Sequence, residues 1–132
     1  SCERMRITLT SLIVNGQERA LQFYTGKLGF TKEVDLPAGK FRWSAVVSPE
    51  DPSGVQLVLP PAAQPAAKVY QKAIYDSGIP ATSFTVAAVQ AEYERLTKLG
   101  AAFTVKPNKA EWGVSAILDD TCGNLIQIHQ VN

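Results

Sequence analysis

Two glutamines lie inside short apolar segments, where an uncharged polar side chain needs an explanation. Gln56 lies within residues 55–59 and Gln127 within residues 126–128, and the two positions are 71 residues apart. Each amide can both donate and accept hydrogen bonds, and a buried amide needs partners. The pair therefore predicts either a site for a neutral polar ligand or a hydrogen bond between the two glutamines.

The single histidine, His129, follows Gln127 by two residues. Because side chains alternate along a strand, both are expected on the same face. An imidazole there could serve as a hydrogen-bonding or acid–base group near neutral pH, so His129 is a candidate catalytic residue. The competing interpretation is a half-exposed histidine near the end of a final strand.

Three aromatic side chains, Phe41, Trp43 and Trp112, offer apolar surface. They could line a small-molecule pocket or simply fill the core. Arg42 neighbours Trp43 on the opposite side of the same strand. If Arg42 rather than Trp43 faced the site, an anionic ligand would be favoured.

Cys122 is a poor candidate nucleophile because Asp119 and Asp120 lie close in sequence and disfavour a thiolate. Aspartates before Gly123 are typical of a turn, where their carboxylates bind backbone amides. Two cysteines, Cys2 and Cys122, are too few for a disulfide framework. We therefore predict free thiols and turn-shaping aspartates.

A repeat organises the elements that must position these residues. Helical periodicity ends at Leu28-Gly29 and again at Leu99-Gly100, also 71 residues apart. The predicted order is strand, helix and three strands, then an inserted helix over residues 66–77, then strand, helix and three strands. In the inserted helix, Val69 and Ala73, with Tyr70 and Ile74, are predicted to face inward. In the first helix, Asn15 is the predicted N-terminal cap.

Composition excludes several classes of function. The chain of 132 residues has 13 basic and 12 acidic side chains and a formal net charge of +1. It lacks the basic stripe of a nucleic-acid binder and the long apolar run of a membrane span. Residues 6–14 resemble the start of a signal peptide but lack a small-residue cleavage site. They are predicted to form a strand, and the protein is predicted to be cytoplasmic.

The sequence of the repeated segments resembles that of the glyoxalase / bleomycin-resistance / extradiol dioxygenase (vicinal oxygen chelate) superfamily. The resemblance extends over about residues 5–130. The segments that carry it are 20–24 with 27–30, 93–96 with 99–100, and 112–113 with 119–128. It implies an α+β fold of two paired βαβββ modules that form a cup-shaped, partly open eight-stranded barrel. The modules would span residues 5–59 and 81–131 of a single domain, with the inserted helix and linker at 60–80. It also implies a homodimer with a small-molecule site in each cup.

Metal-dependent members carry four ligands in the cup, and by register these positions are Leu9, Gln56, Ala81 and Gln127. A catalytic zinc site normally takes His, Cys or carboxylate ligands, so no metal and no cofactor is predicted. The resemblance then implies a metal-free binding or resistance-type protein for a small organic ligand. The alternative is a glyoxalase-like metal-dependent lyase or isomerase with a changed ligand set. The predicted ligand-binding residues are Gln56, Gln127, His129, Trp43, Trp112 and Phe41.

Overall fold

A computed structural model describes residues 4–132, so Cys2 lies outside the described residues. The chain divides into two compact units, the first ending at Pro61 and the second beginning at Ala62. The first unit contains β1 (Leu9–Ser11), α1 (Gln17–Gln22) continued by a π-helical turn (Phe23–Lys27), β2 (Thr31–Ala38), β3 (Phe41–Val47) and β4 (Gln56–Val58). The second contains α2 (Pro65–Asp76), β5 (Thr82–Thr85), α3 (Val89–Lys98), β6 (Phe103–Lys109), β7 (Gly113–Asp119) and β8 (Leu125–Val131).

Each unit builds one four-stranded mixed sheet with the same plan. The strand orders are β1-β4-β3-β2 and β5-β8-β7-β6. In each sheet the first strand of the unit is parallel to the last, and the remaining pairs are antiparallel. The repeated order confirms the predicted α+β fold of two βαβββ modules.

The first helix packs through its apolar stripe. Ala20 and Leu21 are buried in α1, and Phe23 and Tyr24 are buried in the turn that continues it. The prediction that Asn15 caps this helix is wrong, because the cap position is Gly16 and no side chain caps it. The helical segment ends before Gly29, whose φ of 87° suits a residue without a Cβ.

The third helix buries part of its apolar side. Val89 and Leu96 are almost fully buried, and the Tyr93 ring meets Phe103 of β6 edge-on at 4.7 Å between centroids. Leu99 is 46% exposed, because α3 ends at Lys98 and Gly100 turns the chain away with a φ of 90°.

The inserted helix has the predicted bounds to within one residue, but its predicted inward face is wrong. Val69 is 70% and Tyr70 65% exposed, whereas Gln71 is only 7% exposed. The helix packs through Gln71 and Tyr75 onto a polar turn rather than an apolar surface. Gln71 and Tyr75 therefore face inward, whereas Val69, Tyr70 and Ala73 are exposed and Ile74 is half-buried.

Within residues 4–132 no helix is both long and apolar enough to cross a membrane. The first strand is shorter than the predicted segment 6–14, because pairing with β4 is limited to Leu9–Ser11. Beyond β1, Val14 bridges to Pro61 and is fully buried.

Candidate functional site

In each unit, one face of the sheet packs against the helix of the same βαβββ module, α1 or α3. The opposite face, which that helix does not cover, is called the helix-free face. In the first unit, Arg42 marks the helix side because its guanidinium binds Glu18 of α1 at 2.6 Å. The Gln17 amide reinforces this contact by donating to the carbonyls of Arg42 and Leu59 at 2.6 and 2.9 Å. By alternation, Phe41 and Trp43 lie on the helix-free face.

The guanidinium of Arg42 is held by two carboxylates on the helix side. Besides Glu18, it donates to both carboxylate oxygens of Asp35. Hydrogen bonds from Arg42 lower the pKa of Asp35 and of Glu18. Because its charge is neutralised on the helix side, Arg42 does not favour an anionic ligand on the helix-free face.

The helix-free face of the first unit carries the aromatic residues and one of the two glutamines. Phe41 and Trp43 are each 45% exposed. Val58 lies opposite Ala45, so Gln56, two residues away, shares the face of Trp43. Leu9 lies opposite Gln56 in the parallel pair. The register thus places three predicted site residues, Phe41, Trp43 and Gln56, on one face.

In the second unit, α3 marks the helix side of the sheet. The Val89 amide donates to Gln130 Oε1 at 2.6 Å, so Gln130 points towards α3. Gln127 and His129 alternate with Gln130 and Ile128, and both therefore lie on the helix-free face. The parallel register places Ser83 opposite Gln127 and Thr85 opposite His129.

These four side chains form a continuous hydrogen-bond chain. Ser83 Oγ donates to Gln127 Oε1 at 2.9 Å and lies 2.6 Å from His129 Nδ1. Thr85 Oγ1 lies 2.9 Å from the other ring nitrogen, Nε2. The imidazole is thus clamped between two hydroxyl groups, and the prediction that Gln127 and His129 share a face is confirmed.

The directions of these hydrogen bonds bear on catalysis. A hydroxyl has one proton, and that of Ser83 is directed to Gln127, so His129 does not draw a proton from Ser83. Nucleophilic catalysis needs the base to accept the proton of the nucleophile and needs a third group to orient the base. Both polar contacts of the His129 ring among the described residues are neutral hydroxyls. The Ser83–His129 contact therefore does not have the arrangement of a nucleophile and its general base.

Trp112 extends this face at the edge nearest His129. Its ring centroid lies 6.2 Å from that of His129 in an edge-on arrangement, and the side chain is 48% exposed. The central positions of the face carry no lysine, arginine, aspartate or glutamate: Ser83, Thr85, Ser115, Ile117, Gln127 and His129. The centre of this face is therefore uncharged and has one exposed indole beside it.

The positions that bear metal ligands in the resembling family do not fit a metal here. Leu9 has no donor atom, and Gln56 and Gln127 offer neutral amides. The register pairs Ser83, not Ala81, with Gln127, so the fourth position is a hydroxyl already bonded to Gln127. Thiolates, imidazoles and carboxylates are the usual ligands of catalytic divalent metals. Among residues 4–132 no cluster of three or more His, Cys, Asp or Glu side chains is placed to hold a metal ion.

The turn before β8 has a structural role that the sequence indicates. The Asp120 carboxylate accepts hydrogen bonds from the backbone amides of Cys122 at 2.7 Å and Asn124 at 3.0 Å. Asp119 accepts one from the Thr121 amide at 2.7 Å. The Cys122 side chain is only 1% exposed. Burial removes it from solvent, in agreement with its poor prospects as a nucleophile.

Sequence reasoning missed Ser83 and Thr85 as partners of the site. The signal was present in the alternation of residues 82–85, which places both hydroxyls on one side of the strand. Their relevance emerges only once β5 is paired with β8.

The comparisons with known proteins agree on the family. The model of the Glyoxalase/Bleomycin resistance protein/Dioxygenase superfamily matches residues 6–128. The protein YurT of Bacillus subtilis (strain 168), named as uncharacterized, is 54% identical over 96% of this chain and 99% of its own length. The crystal structure of UcmS2 is similar with a TM-score of 0.82 and 30% identity, covering 96% of this chain and 98% of that one. TnmS3, described as an antibiotic binding protein from Streptomyces sp. CB03234, has a TM-score of 0.75 and 25% identity, with both chains fully covered.

Proposed function

The chain belongs to the Glyoxalase/Bleomycin resistance protein/Dioxygenase superfamily, and we propose that it binds a small organic molecule without a metal and without turnover. The observation that carries the proposal is the donor set at the four family ligand positions, Leu9, Gln56, Ser83 and Gln127. Leu9 has a hydrocarbon side chain without a donor atom, and the other three side chains are polar but uncharged. Such a set is poorly suited to hold a catalytic divalent ion.

The helix-free faces supply the proposed contacts. Phe41, Trp43 and Gln56 would contact ligand in the first unit, and Trp112, Gln127 and His129 in the second. Exposed indole and phenyl rings offer apolar contact area, and the amides offer hydrogen bonds that fix orientation. The His129 ring, whose two nitrogens contact Ser83 and Thr85, offers further ring contact. That TnmS3 is described as an antibiotic binding protein supports this class of function.

Metal and ligand titrations test the proposal together. Protein purified without chelator is expected to contain no stoichiometric metal and to give no binding heat with nickel or zinc. In a thermal-shift screen of antibiotics and other small aromatic compounds, we expect hits whose stabilisation is lost in Trp43→Ala. Val69→Ala, an exposed apolar side chain on α2, serves as the matched control and should retain them.

The rival function, a metal-dependent lyase or isomerase, makes the opposite prediction. It requires stoichiometric nickel or zinc binding that Gln127→Ala or Gln56→Ala abolishes. That result would overturn the proposal.

We also propose that the protein is a homodimer, as the family resemblance implies. Its support here is the apolar segment that leads into β1, where Met5 is 102% and Ile7 81% exposed. β1 ends its sheet and pairs on one side with β4. An open strand edge next to large exposed apolar side chains is a surface that proteins usually cover.

A further inference from the structure

The heavy-atom contacts of the hydrogen-bond chain on the helix-free face of the second unit imply where its protons lie. The hydroxyl proton of Ser83 forms the hydrogen bond to Gln127 Oε1. Ser83 Oγ can therefore only accept a hydrogen bond from His129 Nδ1. The imidazole must then carry its proton on Nδ1 when neutral. Its other nitrogen, Nε2, accepts from the Thr85 hydroxyl.

This order has a consequence for Gln127. Its carbonyl oxygen accepts a hydrogen bond from Ser83, and its amide nitrogen, with two N–H donors, makes no side-chain hydrogen bond within the described part of the second unit. The amide therefore directs its oxygen towards Ser83 and leaves its two N–H donors available on this face. Around it the central positions are uncharged, and the Trp112 ring lies beside His129.

We propose that Gln127 donates a hydrogen bond to an uncharged oxygen acceptor of the ligand, a carbonyl group attached to an aromatic or other apolar body. Ser83, His129 and Thr85 are positioning residues that hold the amide in its donating orientation. The inference rests on the proposed function, because it specifies the class of ligand for the same face. A carboxylate is disfavoured because none of the central positions supplies a fixed positive charge.

The histidine tautomer tests the orientation without any ligand. The chain has one histidine, so its ring nitrogen signals in ¹⁵N NMR are unambiguous. At alkaline pH, where imidazole is neutral, we expect the Nδ1–H tautomer. Ser83→Ala should give a mixture of tautomers, and Ser83→Thr, which keeps the hydroxyl, should retain Nδ1–H. A merely structural role of Ser83 would leave the tautomer unchanged.

The Nε2–H tautomer in the unmodified protein would overturn the inference. His129 would then accept from Ser83, and Ser83 would have to accept from the Gln127 amide. Gln127 would present its oxygen to the ligand instead.

Three probes with one ring system test the ligand class. They are 2-acetylnaphthalene, 2-ethylnaphthalene and 2-naphthoate. The binding of each is measured through the ¹H–¹⁵N NMR signals of the Gln127 side-chain amide. We expect 2-acetylnaphthalene to bind most tightly and to shift the Gln127 amide protons. Ser83→Ala should weaken its binding about fivefold, the equivalent of one ordinary hydrogen bond, and leave 2-ethylnaphthalene unchanged.

The outcomes separate this inference from the proposed function. Equal binding of the acetyl and ethyl compounds, or tighter binding of 2-naphthoate, would overturn the inference while leaving small-molecule binding intact. If none of the three compounds perturbs any residue of either helix-free face, the proposed function fails, and the inference fails with it.

Discussion

Arg42 shows how one residue assigns the two faces of a sheet. Its side chain joins Glu18 of α1 to Asp35 of β2, and its backbone is fixed by Gln17. With the guanidinium committed to the helix side, its neighbours Phe41 and Trp43 must occupy the other face. Arg42 therefore acts on the candidate site indirectly, by orienting β3.

Replacing Arg42 is expected to change the response of the protein to acid. Arg42 lowers the pKa of Asp35 and Glu18, so both carboxylates contribute stability above their ordinary pKa of about 4, and this contribution is lost as the pH falls through their folded values. In Arg42→Gln both pKa values should rise, and stability should fall less steeply with acid. Carboxyl ¹³C NMR titration and thermal unfolding at several pH values measure both effects.

Arg95→Gln is the matched control, since Arg95 pairs with Glu92 on the surface of α3. It should leave the titration of Asp35 and Glu18 unchanged. Unaltered carboxyl titrations in Arg42→Gln would contradict the assignment of Arg42 to the helix side.

At the residue scale, the sequence predicts what depends on neighbours along the chain. Gln127 and His129 share a face because strand alternation is local, and Asp120 shapes its turn because the amides it binds are within four residues. The Ser83 partnership depends on pairing two strands that are distant in sequence. The choice between Arg42 and Trp43 needed the position of α1. Neither the contacts of Ser83 nor the face that Arg42 occupies can be predicted from residues that are neighbours along the chain.

Among the elements, α2 is notable because it docks through polar contacts. Gln71 donates to the Cys122 carbonyl and to Asn124 Oδ1, both at 3.3 Å, and the Tyr75 hydroxyl donates to the Asp119 carboxylate. The element and its bounds follow from helical periodicity and Gly78. The orientation of α2 does not follow from the sequence pattern. Hydrophobicity alone predicts that Val69 and Tyr70 face inward, whereas the turn before β8 offers oxygen acceptors that need hydrogen-bond donors from the helix.

Removing the Tyr75 hydroxyl should loosen this docking. Tyr75→Phe leaves the Asp119 oxygen without that donor, and we expect a loss of about 1 kcal/mol in the free energy of unfolding, typical of one hydrogen bond. Urea denaturation measures it. Tyr70→Phe is a control in the same helix, at a residue 65% exposed, and should be neutral within about 0.5 kcal/mol. Equal effects of the two substitutions would refute polar docking through Tyr75.

On the scale of the whole molecule, the two units repeat one plan but differ in what their free faces offer. The first unit presents two half-exposed aromatic rings and an amide, and the second presents a hydrogen-bond chain and one indole. The repeat offset of 71 residues predicts the shared plan. The difference between the two helix-free faces could not be predicted, because it depends on which residues of the neighbouring strands lie beside each glutamine.

The proposed dimer is a prediction at this scale. Light scattering coupled to size exclusion should give twice the 14.3-kDa mass of the chain. Ile7→Lys should shift the mass to that of one chain with an unchanged circular dichroism spectrum, because a buried lysine at an interface costs far more than an exposed one. Val69→Lys, at an exposed apolar position on α2, should remain dimeric.

If Val69→Lys dissociates the dimer and Ile7→Lys does not, the contact lies on α2. A wild-type mass of one chain would refute the dimer and leave Met5 and Ile7 as exposed apolar surface that needs another partner.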